Sequence, residues 1–439
     1  MTLKETLLLT LAICFINGKL VYGEDNDDGD ASVPSFRLGQ QLNETKSMSV
    51  EKYLIYEVNP GEGFNLRRDV FIRVANLVKL LQSQGENIVL VLPPWRTLYH
   101  WKSGRQENAL PWRKFFDIKN INKYVSVIEF QDFVRINKSP GIDLIVYLQR
   151  HPDGFSNGWD EKIEEDDCKD KSVYWKDSDG TYHGYFWGLE NVYGRDFKCV
   201  SVQGTAKILS EYIVSKNVRS ILIDRFEEVL HIGYGDSEFW RARRSLVFAK
   251  PLRREADDFR KKVLDSTDEG DITPYNDKDW REQIPKDGSA KGGNYLAVHM
   301  RRGDFVFSGR EGVPSIKAVA KQIRNLLKKT KLEAVFLATD GSDKEVEELQ
   351  SKVKVPLRRF RPSPEALRKY GDGGIAIIDQ WIAAHGRHFI GSCESTFSFR
   401  IHEERDILGF HPDTTYNCFC MEKDMGKCEQ PTRWRVQFT

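Results

Sequence analysis

Charge of one sign is the first thing this 439-residue chain lacks: 66 Lys and Arg stand against 65 Asp and Glu, a net charge of +1. So even a balance, with no unusually basic helical stripe, argues against a nucleic-acid-binding protein. Gly-x-x-x-x-Gly-Lys-Ser/Thr, His-Glu-x-x-His and Gly-x-Ser-x-Gly patterns are all missing, which leaves a metal-dependent hydrolase without support. No Cys-x-x-Cys pair is present, and Cys418-x-Cys420 is poor zinc spacing. There is no internal repeat, and no low-complexity tract beyond an acidic stretch near the start. The one long apolar run, Leu7 to Phe15, is too short to span a bilayer. A Lys-Asp-Glu-Leu type tail is also absent; the chain ends Val436-Gln437-Phe438-Thr439.

What is present points to a secreted, globular chain. Lys4, the Leu7–Phe15 run, Gly18 and Gly23 make a secretory signal over residues 1–23, with no membrane span expected in the mature chain. Losing Lys4, Lys19 and Glu5 with that leader leaves the charges balanced. The acidic Glu24–Asp30 stretch belongs to a polar segment, 24–46, expected to be disordered. Cys14 lies in the leader, leaving Cys168, Cys199, Cys393, Cys418, Cys420 and Cys428. An even set in an oxidising compartment reads as disulfides, with 15 pairings open for six cysteines. Asn43 and Asn137 head glycosylation sequons, the second followed by Pro140. Hydrophobic residues make up 40% and charged residues 30%, which suits two or three packed domains. With 10 Trp, 16 Tyr and 25 Phe, carbohydrate or peptide surfaces are also within reach.

Short apolar runs alternate with helical patterns. Tyr53–Val58, Ile88–Leu92, Asp143–Leu148 and Ser220–Ile223 read as buried parallel strands, with helices over Leu66–Leu81 and Ala206–Val214. A second series has strands at Tyr295–His299, Ala334–Ala338 and Phe389–Ile390. Its helices are expected at Ile316–Lys328, Ile375–Ala384 and Phe397–Leu408. Two α/β units follow, over residues 47–250 and 251–439, with the Asp-, Gly- and Pro-rich 265–293 segment as a loop. Ligands of such units bind beyond the carboxyl ends of the strands, so two units facing each other make a cleft.

Four segments could do chemistry there. The turn Asn59–Gly63 leads from a strand into a helix, and its Glu62 stands between Gly61 and Gly63. Such a junction offers backbone N–H groups to a phosphate, although an ordinary strand-to-helix turn uses the same residues. His299-Met300-Arg301-Arg302-Gly303-Asp304 ends a strand; an arginine fork suits a diphosphate, or pairs with Asp304 on the surface. Ser395, Thr396 and Phe397 open a helix, where hydroxyls either cap it or hold phosphate. Asp379 stands beside Gln380 and Trp381 on a helix and could accept hydrogen bonds from a base or ribose, or cap a loop. His402-Glu403-Glu404-Arg405 reads as a solvated helix face. Asp177-Ser178-Asp179 imitates a metal-binding Asp-x-Asp and is read as a loop.

Asn59-Pro-Gly-Glu-Gly-Phe-Asn-Leu-Arg-Arg68, Leu92-Pro-Pro-Trp95, His299-Met-Arg-Arg302, Ile377-Ile-Asp-Gln-Trp381 and Ser395-Thr-Phe-Ser-Phe-Arg-Ile-His-Glu-Glu-Arg405 together resemble the protein O-fucosyltransferases. Among these the likeness is greatest to the branch acting on thrombospondin type 1 repeats. The motifs keep the family's order from about Lys52 to the C-terminus. The resemblance implies an α/β fold of the GT-B type, two Rossmann-like domains facing a central cleft. It implies GDP-fucose as donor, metal-independent inverting transfer to a Ser or Thr hydroxyl of folded thrombospondin repeats, and residence in the endoplasmic reticulum lumen. Glu62 would be the catalytic base, and Glu404 would be needed for activity. Gly61, Gly63, Phe64, Asn65, His299, Met300, Arg301, Asp379, Ser395, Thr396 and Phe397 would bind the donor. The family's cysteine pattern pairs Cys168 with Cys199 and Cys420 with Cys428; Cys393 and Cys418 are additions, expected to form a third bridge. Two alternatives stand beside this reading: an enzyme for EGF-like repeats, and a binding or quality-control protein for folded repeats. A retaining glycosidase would need a carboxylate pair about 5 Å apart, for which Glu62 and Glu404 are the candidates.

Overall fold

The apolar runs do become parallel strands, and their carboxyl ends converge. The computed structural model describes residues 51–438 apart from 102, 104–108, 155, 157, 171, 274–278, 309–311, 416, 417, 425–427, 429 and 431–433. The expected leader, the 24–46 segment and the Asn43 sequon lie outside the described residues. In the first sheet are β1 (Lys52–Tyr56), β2 (Ile88–Leu92), β3 (Val127–Glu129), β4 (Gly141–Arg150), β5 (Lys162–Asp166), β6 (Tyr174–Lys176), β7 (Tyr182–Gly184), β8 (Tyr193–Gln203) and β9 (Ser220–Asp224). Their order is β3-β2-β1-β9-β4-β8-β7-β6, with β5 alongside β8. Pairing is parallel from β3 through β8. At the far edge β5 and β7 run antiparallel to β8, and β6 to β7.

The second sheet is smaller and parallel throughout: β10 (Gly293–Met300), β11 (Val335–Thr339), β12 (Leu357–Arg358) and β13 (Gly386–Ile390), in the order β12-β11-β10-β13. Leu296 to Met300 are all buried, as expected of a strand covered on both faces. One apolar cluster runs from Leu54 and Phe71 beside the first sheet to Trp381 and Phe389 beside the second, so a continuous core joins the two halves. The helix Pro364–Ala384 starts well before Ile375, at a Ser363 cap whose hydroxyl takes the Ala366 N–H. It bends at Gly371, whose φ of 65° is open to glycine. Two residues on, a Cβ at Gly373 would come within 2.8 Å of Trp101, so glycine there lets the helix lie directly on the aromatic residues of the first half.

Three further helices were not among those expected from the sequence. The helices Ser237–Ser245, Lys250–Leu264 and Asp343–Val353 are rich in charge, and the first two bury arginines (Arg243 and Arg244, Arg253 and Arg260) beside their apolar residues. The 265–293 segment holds no helix, and only Gly293 begins a strand, among its described residues. Asp177 forms the β6–β7 hairpin turn, accepting from the Asp179 and Thr181 N–H groups at 3.0 and 2.9 Å and pairing with His183 at 2.7 Å. All three expected disulfides are present: Cys168–Cys199, Cys393–Cys418 and Cys420–Cys428. Asn137 ends the helix Phe130–Asn137, where its amide donates to the Phe133 carbonyl at 2.9 Å.

Candidate active site

Two strand-to-helix turns, one from each half, face the same cavity of about 450 Å³. The volume falls within the usual range for a site that buries a drug-sized ligand. From the first half come Glu62, Gly63, Phe64, Asn65, Tyr99, His100 and Trp101. From the second come His299, Arg301, Asp304, Asp340, Asp372, Asp379, Ser395, Thr396 and Phe397. Most of the residues singled out in the sequence therefore meet. Gly61 and Met300 do not line the cavity; Met300 is buried in the core of the second sheet, on the strand face opposite His299.

The first turn follows β1. Asn59 shapes it locally: its side chain takes the Gly61 N–H at 3.0 Å and its carbonyl the Glu62 N–H at 2.9 Å. Arg67, one turn into the helix Phe64–Ser83, then binds the turn to its own strand. It donates to Glu57 Oε1 at 2.7 Å and to the carbonyls of Val58, Asn59 and Glu62 at 3.1, 2.9 and 3.2 Å. Glu227 holds the same turn from another side, taking the Asn59 N–H at 3.1 Å; burial pushes its carboxyl up to about 7. The helix N-cap is Gly63, which supplies no side-chain cap. A Cβ there would lie 3.1 Å from His100, so the glycine makes room for that ring. Burial, with Arg301 nearby, lowers His100 to about 4, and its Nδ1 has no hydrogen-bond partner.

The second half supplies cationic and donor groups. Arg301 directly follows β10, with Nη1 and Nη2 each 2.7 Å from a carboxylate, of Asp340 and Asp304 respectively. The Arg301–Asp304 pair and a cavity-lining arginine are thus the same side chain. Arg302 turns away: it donates to Glu345 at 2.7 Å and to the Pro314 carbonyl at 2.8 Å. His299 is buried, stacks on Phe397 with ring centroids 4.4 Å apart, and meets the Ser398 hydroxyl through Nδ1 at 2.8 Å. Burial and Arg301 lower it to about 3, so the ring is neutral. Ser395 is the N-cap of the helix Thr396–Ile407 but makes no side-chain cap bond. The capping explanation for this Ser-Thr pair therefore does not hold. Asp379 lines the cavity with a buried Oδ1 that lacks a hydrogen-bond partner, and burial raises its carboxyl to about 7. A carboxylate with an unused acceptor suits the paired N–H donors of a nucleobase.

Glu404 is elsewhere. The His402–Arg405 face is buried rather than solvated, because the helix Thr396–Ile407 is enclosed between the two halves. Arg243, 1% exposed, reaches both Glu403 and Glu404, the latter at 2.9 Å. Arg400 bridges Glu403 at 2.9 Å to Asp69 at 3.5 Å, and Asp69 in turn pairs with Arg73 and His231. This network stitches the first half to the second. Glu404 belongs to it and lines a smaller, separate cavity with Arg243 and Trp280. With Glu62 in one cavity and Glu404 in another, the carboxylate pair of a retaining glycosidase is not formed.

Tyr99, His100, Asp340 and Asp372 were not foreseen. Asp340 directly follows the apolar β11, and the strand-end rule could have flagged it. His100 and Asp372 come from a loop and from the kinked helix, where periodicity carries no signal. Among the described residues no three His, Cys, Asp or Glu side chains gather as a metal-ligand set.

The family model described as GDP-fucose protein O-fucosyltransferase matches residues 53–408. A human protein named GDP-fucose protein O-fucosyltransferase 2 is 48% identical over 89% of this chain and 91% of its own length. Its namesake from Caenorhabditis elegans is 42% identical over 98% of this chain and 99% of its own. A crystal structure of POFUT1 in complex with GDP-fucose superposes with a TM-score of 0.54 at 16% identity, covering 86% of this chain and all of that one (100%). At that identity the likeness speaks for the fold, and it is the GT-B arrangement of two parallel-sheet units around a cleft.

Proposed function

The chain belongs to the GDP-fucose protein O-fucosyltransferase family, and from that premise we propose that it moves fucose from GDP-fucose onto a Ser or Thr hydroxyl of folded thrombospondin type 1 repeats, with inversion and with Glu62 as base. It is a glycosyltransferase with GDP-fucose chemistry; the acceptor, the stereochemistry and the base are our reading. The observation that carries it is the single cavity in which Glu62 faces Arg301, His299, Asp379 and the uncapped start of the helix Thr396–Ile407.

Each part has its chemistry. Asp379, with its unused acceptor, takes hydrogen bonds from the guanine. Arg301, His299 and the N–H groups at Thr396 and Phe397 face the diphosphate, where a planar guanidinium and a helix N-terminus both stabilise negative charge. The acceptor oxygen attacks C1 of fucose while Glu62 removes its proton. The C1–O bond to the β-phosphate breaks, and its electron pair leaves on GDP, whose growing charge those donors stabilise. Attack from the face opposite the phosphate inverts C1 and needs no covalent sugar–enzyme intermediate. Secretory targeting, and with it work in the lumen of the endoplasmic reticulum on folded substrates, is supported by the signal-like start and three disulfides.

The test is fucose transfer from GDP-fucose, without added metal, to folded thrombospondin repeats and separately to folded EGF-like repeats, beside a Glu62→Ala control. Transfer to the thrombospondin repeat alone, lost in the control, is expected. Transfer to the EGF-like repeat instead would overturn the acceptor, and an active control would overturn the base.

A further inference from the structure

We propose that Ser398 is a positioning residue that holds His299 as a neutral imidazole with its proton on Nε2, free to donate to the diphosphate. The proposal rests on the reading of the cavity as the donor site. Ser398 is fully buried in the helix Thr396–Ile407 (0% exposed), and its oxygen lies between two partners. The Ser392 N–H donates into that oxygen at 3.1 Å, and His299 Nδ1 lies 2.8 Å from it on the other side. A hydroxyl has one hydrogen to give. The oxygen has a second lone pair, but among the described residues its hydrogen has no acceptor within hydrogen-bond distance other than Nδ1, so the hydrogen points there and Nδ1 is the unprotonated nitrogen. A neutral imidazole carries its proton on one ring nitrogen, and the partner of the other decides which.

The surroundings leave this arrangement little freedom. His299 is stacked on Phe397 with planes 22° apart, so the ring cannot turn over without leaving its neighbour. A Cβ at Gly391 would come within 2.4 Å of the Ser398 oxygen, so glycine there lets the end of β13 close onto the hydroxyl. Ser392 adds a second tie, accepting the Arg301 N–H at 2.8 Å and donating to the His299 carbonyl at 3.3 Å. The ends of β10 and β13 are thereby joined through two serines, and the His299 ring and the Arg301 backbone are set from one place. Burial beside Arg301 keeps His299 uncharged. The ring can therefore donate to an anion without adding a second full charge, and Nε2–H is the tautomer that donates away from Ser398.

Two measurements decide this. Long-range proton–nitrogen correlation spectra of the histidine-labelled full chain, with and without GDP, should show His299 neutral and protonated on Nε2. GDP affinity is then measured by calorimetry for the wild type, Ser398→Ala, His299→Gln and the double variant. Ser398→Ala should weaken GDP about tenfold, the scale of one hydrogen bond to a charged ligand. In the His299→Gln background the same change should cost less than about twofold, because a positioning residue acts through its partner. An Nδ1-protonated His299 in the wild type, or an equal penalty in both backgrounds, would overturn the proposal. Failure of the wild type to bind GDP would sink the donor-site reading instead, and the tautomer spectrum alone would then decide the role of Ser398.

Discussion

The two turns that meet at the cavity are built alike and equipped oppositely. Both leave the carboxyl end of a parallel strand, β1 in one half and β13 in the other, and both open a helix whose N-cap supplies no side-chain bond. Each leaves backbone N–H groups toward a ligand, yet one carries a carboxylate and the other hydroxyls. Around Glu62 the scaffold is ionic: Arg67 pairs with Glu57 and ties down three carbonyls, and Glu227 holds Asn59. Around Ser395 and Thr396 it is neutral and covalent: two serine hydroxyls and the Cys393–Cys418 bridge. The difference follows from the charge each turn must handle. A base needs its carboxylate fixed in place without a cation neutralising it, so Arg67 grips backbone and Glu57. An anion site is better served by neutral donors beside a single arginine.

The sharpest way to break the comparison is to remove the carboxylate alone. Glu62→Gln should lower kcat by about 10²–10⁴ while GDP-fucose affinity, read by calorimetry, changes less than about twofold. A parallel loss of affinity would mean that the two turns share one task. Arg67→Met tests the scaffold beneath it. Removing one partner of a buried ion pair strands Glu57, and should cost roughly 3–5 kcal/mol in denaturant unfolding. In the folded fraction kcat should fall with KM for GDP-fucose little changed, because the second turn is untouched.

Both turns were legible in the sequence because each follows an apolar strand run and contains residues rarely needed for packing alone. Glu62 between two glycines and Thr396 at a helix start both landed in the cavity. Arg67 was visible only as part of a motif, since nothing in a linear pattern says that a guanidinium folds back on the preceding strand. The His402–Arg405 face failed for a related reason. Charges three and four apart on a helix usually face water, but the partner of Glu404 is Arg243, 161 residues earlier in the chain, and only the tertiary fold brings them together. The antiparallel extension β5–β7 was missed as well, because Lys162–Asp166 is polar and mostly exposed and lacks the apolar run that marked the other strands.

The covalent tie of the second turn is the next place to sharpen the contrast. Cys393 stands two residues before Ser395, and Cys418 anchors it to the tail. Replacing both by Ser should lower stability by about 3 kcal/mol on loop-closure grounds, read from the shift in thermal or denaturant unfolding. GDP-fucose should bind several-fold more weakly, with kcat at saturating donor retained. A variant that loses turnover but keeps affinity would place the bridge on the wrong side of the division.

The smallest effect expected is a pH dependence at Asp379, which serves neither turn but lines the same cavity between them. Burial raises its carboxyl to about 7, so it titrates in the neutral range in the ligand-free molecule. Because the folded value lies above the ordinary carboxylate range, its contribution to stability is full below about pH 4 and is lost as pH rises through about 7. Donor binding runs the other way, since only the ionised form offers both oxygens to a guanine. GDP-fucose is the ligand to use, because its diphosphate is esterified at both ends and does not titrate in this range. Its affinity should rise up to about tenfold between pH 6 and pH 8, and Asp379→Asn should flatten that slope while weakening binding throughout. The same substitution should raise the thermal midpoint of the ligand-free chain at pH 8, where the wild type holds a buried charge whose burial outweighs the attraction of Arg359. If Asp379→Asn left the slope intact, the proton would belong to another group, with Glu227 behind the Glu62 turn, also raised to about 7, as the first to examine.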